Sequence, residues 1–202
     1  MVIIFGNQKG GAGKSTLAML YANHQAMVEK QNVTVLDLDF QRSLFSRWEE
    51  DKAYENPELY EVLDLSLEDF PIIMDELEAD PDQKIIIDLP GKIDDDALIP
   101  VIKKADVIVV PFHYDKMTYQ ATLLFTLFCK SDEINPNVKM VFVPNKTKSS
   151  VKYELKKGVN DELSNYGLVT KEIPDRVAFQ RLTTRDIPTE LMDIVDDVFS
   201  QI

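Results

Sequence analysis

Residues 5–16 read FGNQKGGAGKST and follow the β-branched apolar run VIIF without a break, Phe5 closing it. A glycine-rich turn caught between a buried strand and a helix leaves few folds open. It aims backbone N–H groups and the positive end of the helix dipole at one point, which makes an anion site. The usual phosphate loop is G-x-x-x-x-G-K-[ST]. Gly13, Lys14 and Ser15 match its end, but Gln8 stands where the first glycine belongs, and Lys9 adds a second lysine to a loop that needs one.

The rest of the chain supplies the context that such a loop requires. Apolar runs at 32–39, 84–91, 105–112 and 138–145 read as further strands, with a short edge strand at 167–174. Helices are expected from Lys14 to about Lys30, Thr118 to Lys130, over a lysine-rich stretch reaching about Asn165, and Pro188 to Ile202. Residues 44–83 read as helices and acidic loops. Continuous apolar strands alternating with helices predict an α/β fold: a mainly parallel twisted sheet with helices on both faces, of P-loop NTPase architecture. No repeat or linker divides the chain, so 1–202 is expected to be a single domain. Ligands of such sheets gather at the carboxyl ends of the strands. Lys9–Thr16, Asp37 and Asp39, Asp88–Gly91 and Asn145 all fall there.

The residue types in those places suit one chemistry. Gly10, Gly11, Ala12 and Gly13 allow a tight path around a phosphate. Lys14 would bridge the β and γ phosphates, Ser15 would ligate Mg²⁺, and Thr16 would reach the α-phosphate. Asp88 closes an apolar strand as a Mg²⁺-holding acid does, and Gly91 offers a backbone N–H to the γ-phosphate. Asp37 and Asp39 share one side of their strand by alternation. One would orient the attacking water while the other supports the metal or the loop. Lys9 would crowd Lys14 inside its own loop, so it makes sense reaching into another site.

These residues carry a family resemblance. NQKGGAGKST resembles the deviant Walker A motif of the ParA/MinD family of ATPases, closest to the small ParA-type partition ATPases. VLDLDFQRS is similar to the segment holding that family's hydrolytic aspartate, with Phe40 in place of the usual proline. IIIDLPG resembles its Walker B strand and VFVPNKTK the strand whose terminal asparagine meets adenine. The resemblance implies ATP and Mg²⁺ as cofactors and a face-to-face homodimer in the ATP state. It makes Lys9, Lys14 and Asp39 the catalytic set, with Lys9 crossing to the partner's nucleotide. Ser15, Asp88 and Asp39 become the metal set, and Gly10–Thr16, Gly91, Asn145 and Pro174 the nucleotide contacts. In NKTK, Lys148 occupies the place where guanine-specific sites keep an acid, so guanine's donors would go unpaired and adenine is favoured.

Composition separates the branches of that family. The single cysteine, Cys129, excludes intrachain disulfides and cysteine-ligated clusters within one chain. No apolar run approaches the roughly 18 residues of a membrane span, and the amphipathic C-terminal stretch TELMDIVDDVFSQI is acidic, so anionic lipid would repel it. No membrane partner and a cytoplasmic address are expected, with nucleoid association if DNA is bound. Net charge is −13, of which residues 49–96 carry −15, whereas 139–185 hold 10 Lys/Arg against 5 Asp/Glu. Lys146, Lys148, Lys152, Lys156, Lys157, Arg176, Arg181 and Arg185 are the candidate contacts to nonspecific DNA. Lys152, Lys156 and Lys157 are expected on one helical face. The reading is a dimerising ATPase switch acting in partition of a plasmid, chromosome or mobile element, stimulated by a ParB-like centromere-binding partner. A positioning ATPase for a non-DNA cargo and a dethiobiotin-synthetase-like ligase stand as alternatives.

Overall fold

The computed structural model describes residues 1–91 and 96–202. Lys92, Asp94 and Asp95, which belong to the acidic stretch noted above, lie outside the described residues. The strands are β1 (Val2–Phe5), β2 (Asn32–Asp37), β3 (Glu61–Asp64), β4 (Gln83–Asp88), β5 (Val107–Phe112), β6 (Lys139–Pro144) and β7 (Gly167–Val169). They form one sheet of order β3-β2-β4-β1-β5-β6-β7, every pairing parallel. The helices are α1 (Lys14–Met27), α2 (Ser43–Asp51), α3 (Phe70–Leu77), α4 (Ile99–Lys103), α5 (Lys116–Cys129), α6 (Lys156–Leu163) and α7 (Met192–Phe199).

Alternation along the strands divides the core in two. Ile3, Phe5 and Val35 face α1, α2 and α7 and pack with Leu17, Leu20, Tyr21, Trp48 and Val195. Val2, Ile4 and Leu36 face the other way, against Phe70 and Met74 of α3, Ile102 of α4, Phe125 of α5 and Leu163 of α6. This burial on both faces is why the strands read as unbroken apolar runs. The acidic C-terminal helix is part of the core, through Leu191, Val195, Val198 and Phe199. No helix among the described residues is long and apolar enough to cross a membrane.

Several expected boundaries move. β3 lies inside the stretch expected to hold only helices and acidic loops. It is a short edge strand paired with β2 alone, and Val62 is its one fully buried side chain. β2 stops at Asp37 rather than 39, because the Asp37 carboxylate is taken up by the turn that follows. The last helix is shorter than expected and follows a 3₁₀ turn, Thr189–Leu191. The lysine-rich helix begins at Lys156, so Lys152 does not share a helical face with Lys156 and Lys157. Residues 148–155 form turns instead, with the Val151 N–H donating to the Lys148 carbonyl (3.0 Å) and the Tyr153 hydroxyl accepting from the Lys148 N–H (2.9 Å).

Buried polar contacts tie the C-terminal segment to α1 and α2. Asn23 donates to the carbonyls of Thr183 (2.8 Å) and Asp186 (2.7 Å) and accepts from the Tyr60 hydroxyl (2.6 Å). Asp51 accepts from the Thr184 backbone N–H (2.6 Å) and hydroxyl (3.0 Å). His24 contacts Asp196 at 3.1 Å and meets the Phe199 ring edge-on, so it serves packing. Cys129 is completely buried, and burial pushes its thiol far above the ordinary range.

Candidate functional site

At the carboxyl edge of the sheet, the β1–α1 loop, the β2–α2 loop and the β4 end enclose a cleft of about 750 Å³. The order of winding reverses at β1, between β4 and β5, the topological position where ligands of such sheets bind. Gln8, Lys9, Gly10, Gly11, Gly13, Lys14, Ser15, Thr16, Asp39 and Gly91 line it, together with Phe40, Gln41, Ser43, Pro90 and Lys146. Most of the expected nucleotide set is therefore brought together.

The loop is fixed from below and behind. Asn7 is buried and donates to the Pro111 carbonyl (2.8 Å) and the Thr122 hydroxyl (2.9 Å), while its Oδ1 accepts from the Lys9 N–H (3.1 Å). Gly13 has φ 102° and leaves no room for a Cβ, because the Asn145 amide lies against it. That amide donates to the Ala12 carbonyl (2.8 Å), and its Oδ1 accepts from the Lys146 N–H (2.9 Å). Asn145 is thus largely spent on the loop, with one amide hydrogen left for a base. α1 then starts with Lys14, whose side chain is 6% exposed. A Cβ placed on Gly91 would stand 3.5 Å from its Nζ, so Lys14 lies over the strand end that follows β4.

Asp88 sits beneath them, fully buried, and neither carboxylate oxygen finds a hydrogen-bond partner among the described residues. Burial raises its pKa to about 8. The nearby Ser15 hydroxyl and Lys14 ammonium pull it down, and Asp37 and Asp39 push it up. A buried, unpartnered carboxylate beside a hydroxyl and a lysine suits a hard cation that shares its remaining ligands with phosphate oxygens and water. The residues present therefore fit Mg²⁺, with Ser15 and Asp88 as its nearest protein groups.

Asp37 and Asp39 part company. Asp37 is buried and accepts from the N–H groups of Asp39 (3.1 Å), Leu44 (3.0 Å) and Phe45 (2.9 Å), which anchors the start of α2. Burial raises its pKa, and these three donors oppose the rise. Asp39 stands in the cleft, half-buried, with Oδ1 accepting from the Gln41 N–H (3.0 Å). Phe40 beside it is 88% exposed on the rim.

Other expected residues fall elsewhere. Pro174 lies outside the cleft, bridged to Thr147 at the wall of a second cavity of about 1,010 Å³. Lys148, Lys152, Lys156 and Arg176 line that cavity with Glu172 and Asp175. Two of these lysines are paired, Lys148 with Asp175 (3.6 Å) and Lys156 with Glu172. Lys157 and Arg181 are exposed. Arg185 is not part of this face: it is 5% exposed, with its Nε on the Asp51 carbonyl (3.3 Å) and its guanidinium 3.6 Å from Glu58. Lys146 turns to the cleft instead, its Nζ donating to the Gly11 carbonyl at 3.0 Å. His113 keeps a buried Nε2 without a partner among the described residues. Burial first and Lys146 second lower its pKa.

Sequence reasoning missed Asn7, the anchoring role of Asp37 and the inward turn of Lys146. Asn7 stood inside the quoted motif, but nothing local shows that it reaches Thr122, 115 residues away.

A seven-stranded parallel sheet with a glycine loop, an invading lysine and a buried acid at one edge defines a P-loop nucleotide-binding protein. Residues 3–189 match the family described as the CobQ/CobB/MinD/ParA nucleotide binding domain, and the chain belongs to that family. No curated protein matches the sequence. Among solved structures, a plasmid partition protein from Borrelia burgdorferi B31 bound to AMPPNP superposes with a TM-score of 0.76 at 16% identity, covering 99% of this chain and 97% of that one. An ATP complex of a Cyanothece McdA variant gives 0.75 at 12% identity, covering 99% and 94%. The pNOB8 ParA bound to nonspecific DNA gives 0.63 at 18% identity, covering 81% and 74%.

Proposed function

We propose that this protein is an ATP-dependent dimerising switch with weak, Mg²⁺-dependent ATPase activity that acts in DNA partition. The observation that carries the reading is the convergence in one cleft of Lys9, Lys14 and Asp39 above a buried Asp88 whose carboxylate oxygens have no hydrogen-bond partner among the described residues. Lys14 neutralises the β and γ phosphates, and loop N–H groups cradle them, with Thr16 at the α-phosphate and Gly91 at the γ end. Mg²⁺ at Ser15 and Asp88 supplies charge neutralisation when bound. Asp39 orients water, its half-buried carboxylate being suited to positioning rather than to strong base chemistry. Lys9 shares the cleft with Lys14 and completes a partner's site across a two-fold axis, where phosphate charge relieves the repulsion of the two lysines. Asn145 meets the base with its remaining amide hydrogen.

The neighbours support this reading: solved relatives of the fold hold AMPPNP, ATP and nonspecific DNA. Lys152, Lys157, Arg176 and Arg181 are the residues left for phosphate contacts, and a partner protein would stimulate hydrolysis. The paired state of Lys148 and Lys156 and the net charge of −13 favour a second reading, a positioning ATPase for a cargo other than DNA. The mass of the protein in solution, with ATP, ADP or AMPPNP, tests the switch. The intact chain is expected to double its mass with ATP or AMPPNP, and Lys9→Ala to bind nucleotide yet stay monomeric. A Lys9→Ala variant that still dimerised and hydrolysed ATP normally would overturn the role of that lysine.

A further inference from the structure

Lys146 belongs by sequence to the basic stretch but by geometry to the phosphate loop. Its ammonium lies 3.0 Å from the Gly11 carbonyl, on the wall of the cleft. Its neighbour Asn145 holds the next carbonyl in the chain, that of Ala12, at 2.8 Å. Two consecutive peptide planes of the loop are therefore gripped by two consecutive side chains from the end of β6.

The backbone that presents Lys146 is held in turn. Lys146 has φ 53°, a left-handed conformation unusual for a long side chain. It is stabilised by its own N–H donating to the Asn145 Oδ1 (2.9 Å). The next residue is fixed by Thr147 N–H donating to the Ile173 carbonyl (3.1 Å) and by the Thr147 carbonyl accepting from the Asp175 N–H (2.8 Å). Gly11, with φ 78°, turns its carbonyl toward the lysine. A trans peptide plane sets its N–H opposite its C=O. Holding the Gly11 and Ala12 carbonyls on the β6 side therefore fixes the direction of the Ala12 and Gly13 N–H groups, the donors of an anion-binding loop.

We propose that Lys146 is a positioning residue that latches the phosphate loop in its binding-competent form before nucleotide arrives. It preorganises donors at the cost of one exposed lysine's freedom, and it acts on ATP and ADP alike because it grips the loop rather than the γ-phosphate. The proposal rests on the cleft being the nucleotide site.

The test compares the parent with Lys146→Ala and Lys146→Arg in the full chain. Amide hydrogen exchange at residues 10–13 is followed without nucleotide, and ADP and AMPPNP are titrated with Mg²⁺. Lys146→Ala is expected to speed exchange at Ala12 and Gly13 and to weaken both nucleotides by on the order of tenfold, with exchange in β1, β4 and β5 unchanged. Lys146→Arg, which keeps a charged donor, is expected to recover most of both effects. Unchanged loop exchange in Lys146→Ala would overturn the latch. So would a loss confined to AMPPNP, which would put the ammonium on the γ-phosphate. Lys14→Ala is run in parallel: if it still bound ADP, the nucleotide reading of the cleft would fail, while loop exchange would still judge the latch.

Discussion

The cleft and the basic face lie along the same edge of the sheet and treat charge in opposite ways. In the cleft, Lys14 and Asp88 are buried, and Asp88 has no partner among the described residues. On the basic face the lysines are exposed, and Lys148 and Lys156 are already paired with Asp175 and Glu172. Exposed pairs contribute little and are readily exchanged, so they say little about a ligand. A buried carboxyl without a partner is costly whether it ionises or holds its proton, and a fold keeps one where a bound ion or phosphate completes it. The two regions therefore differ in how firmly structure argues for their use.

The largest effect is expected at Lys14. Lys14→Ala is expected to lower ATP affinity by roughly two orders of magnitude or more, since the lost ammonium faces phosphate in a confined site. Equilibrium titration with a fluorescent ATP analogue measures it, and retained binding would remove the contrast. Next comes Asp88. Its pKa of about 8 lies well above the ordinary value near 4 of an unfolded aspartate, so between those values the folded chain keeps a proton that the unfolded chain has released. Stability of the nucleotide-free protein should thus fall as pH rises through this range and level off above about 8. Asp88→Asn should flatten the decline, most visibly between about pH 6.5 and 8, where the two histidines and the N-terminal amine are the other groups that ordinarily titrate. Denaturant midpoints at both pH values decide it, and an unchanged slope would mean that Asp88 is already solvated or paired. The smallest effect is expected on the basic face. Lys152→Glu with Lys157→Glu should reduce retention of nonspecific duplex severalfold at low salt and lose most of that difference at moderate salt. Equal retention by parent and variant would mean that these lysines meet no DNA.

What was legible in the sequence follows the same divide. The cleft could be read because its parts are local: a strand, a loop and a helix within residues 2–27, and acids at strand ends. Strands buried on both faces declared themselves as unbroken apolar runs. β3 did not, since an edge strand that buries only Val62 fully has almost no apolar pattern to show. The lysine face was misjudged where tertiary contacts override spacing. Lys152 precedes the helix it was expected to share, and Arg185 is drawn inward by Asp51 and Glu58, more than 120 residues away in the chain. Asp37 and Asp39 have the same parity, but only the turn after Asp37 reveals that one is structural and the other faces the cleft.

The burial of Cys129 has a practical corollary. The chain's only thiol is sealed inside the α5 side of the core and held in its unreactive protonated form. Maleimide chemistry on the native fold will therefore address whatever cysteine is introduced and nothing else. A dye attached through Phe40→Cys, at an 88% exposed position on the rim, would turn the parent sequence into a single-label optical reporter without a cysteine-free background.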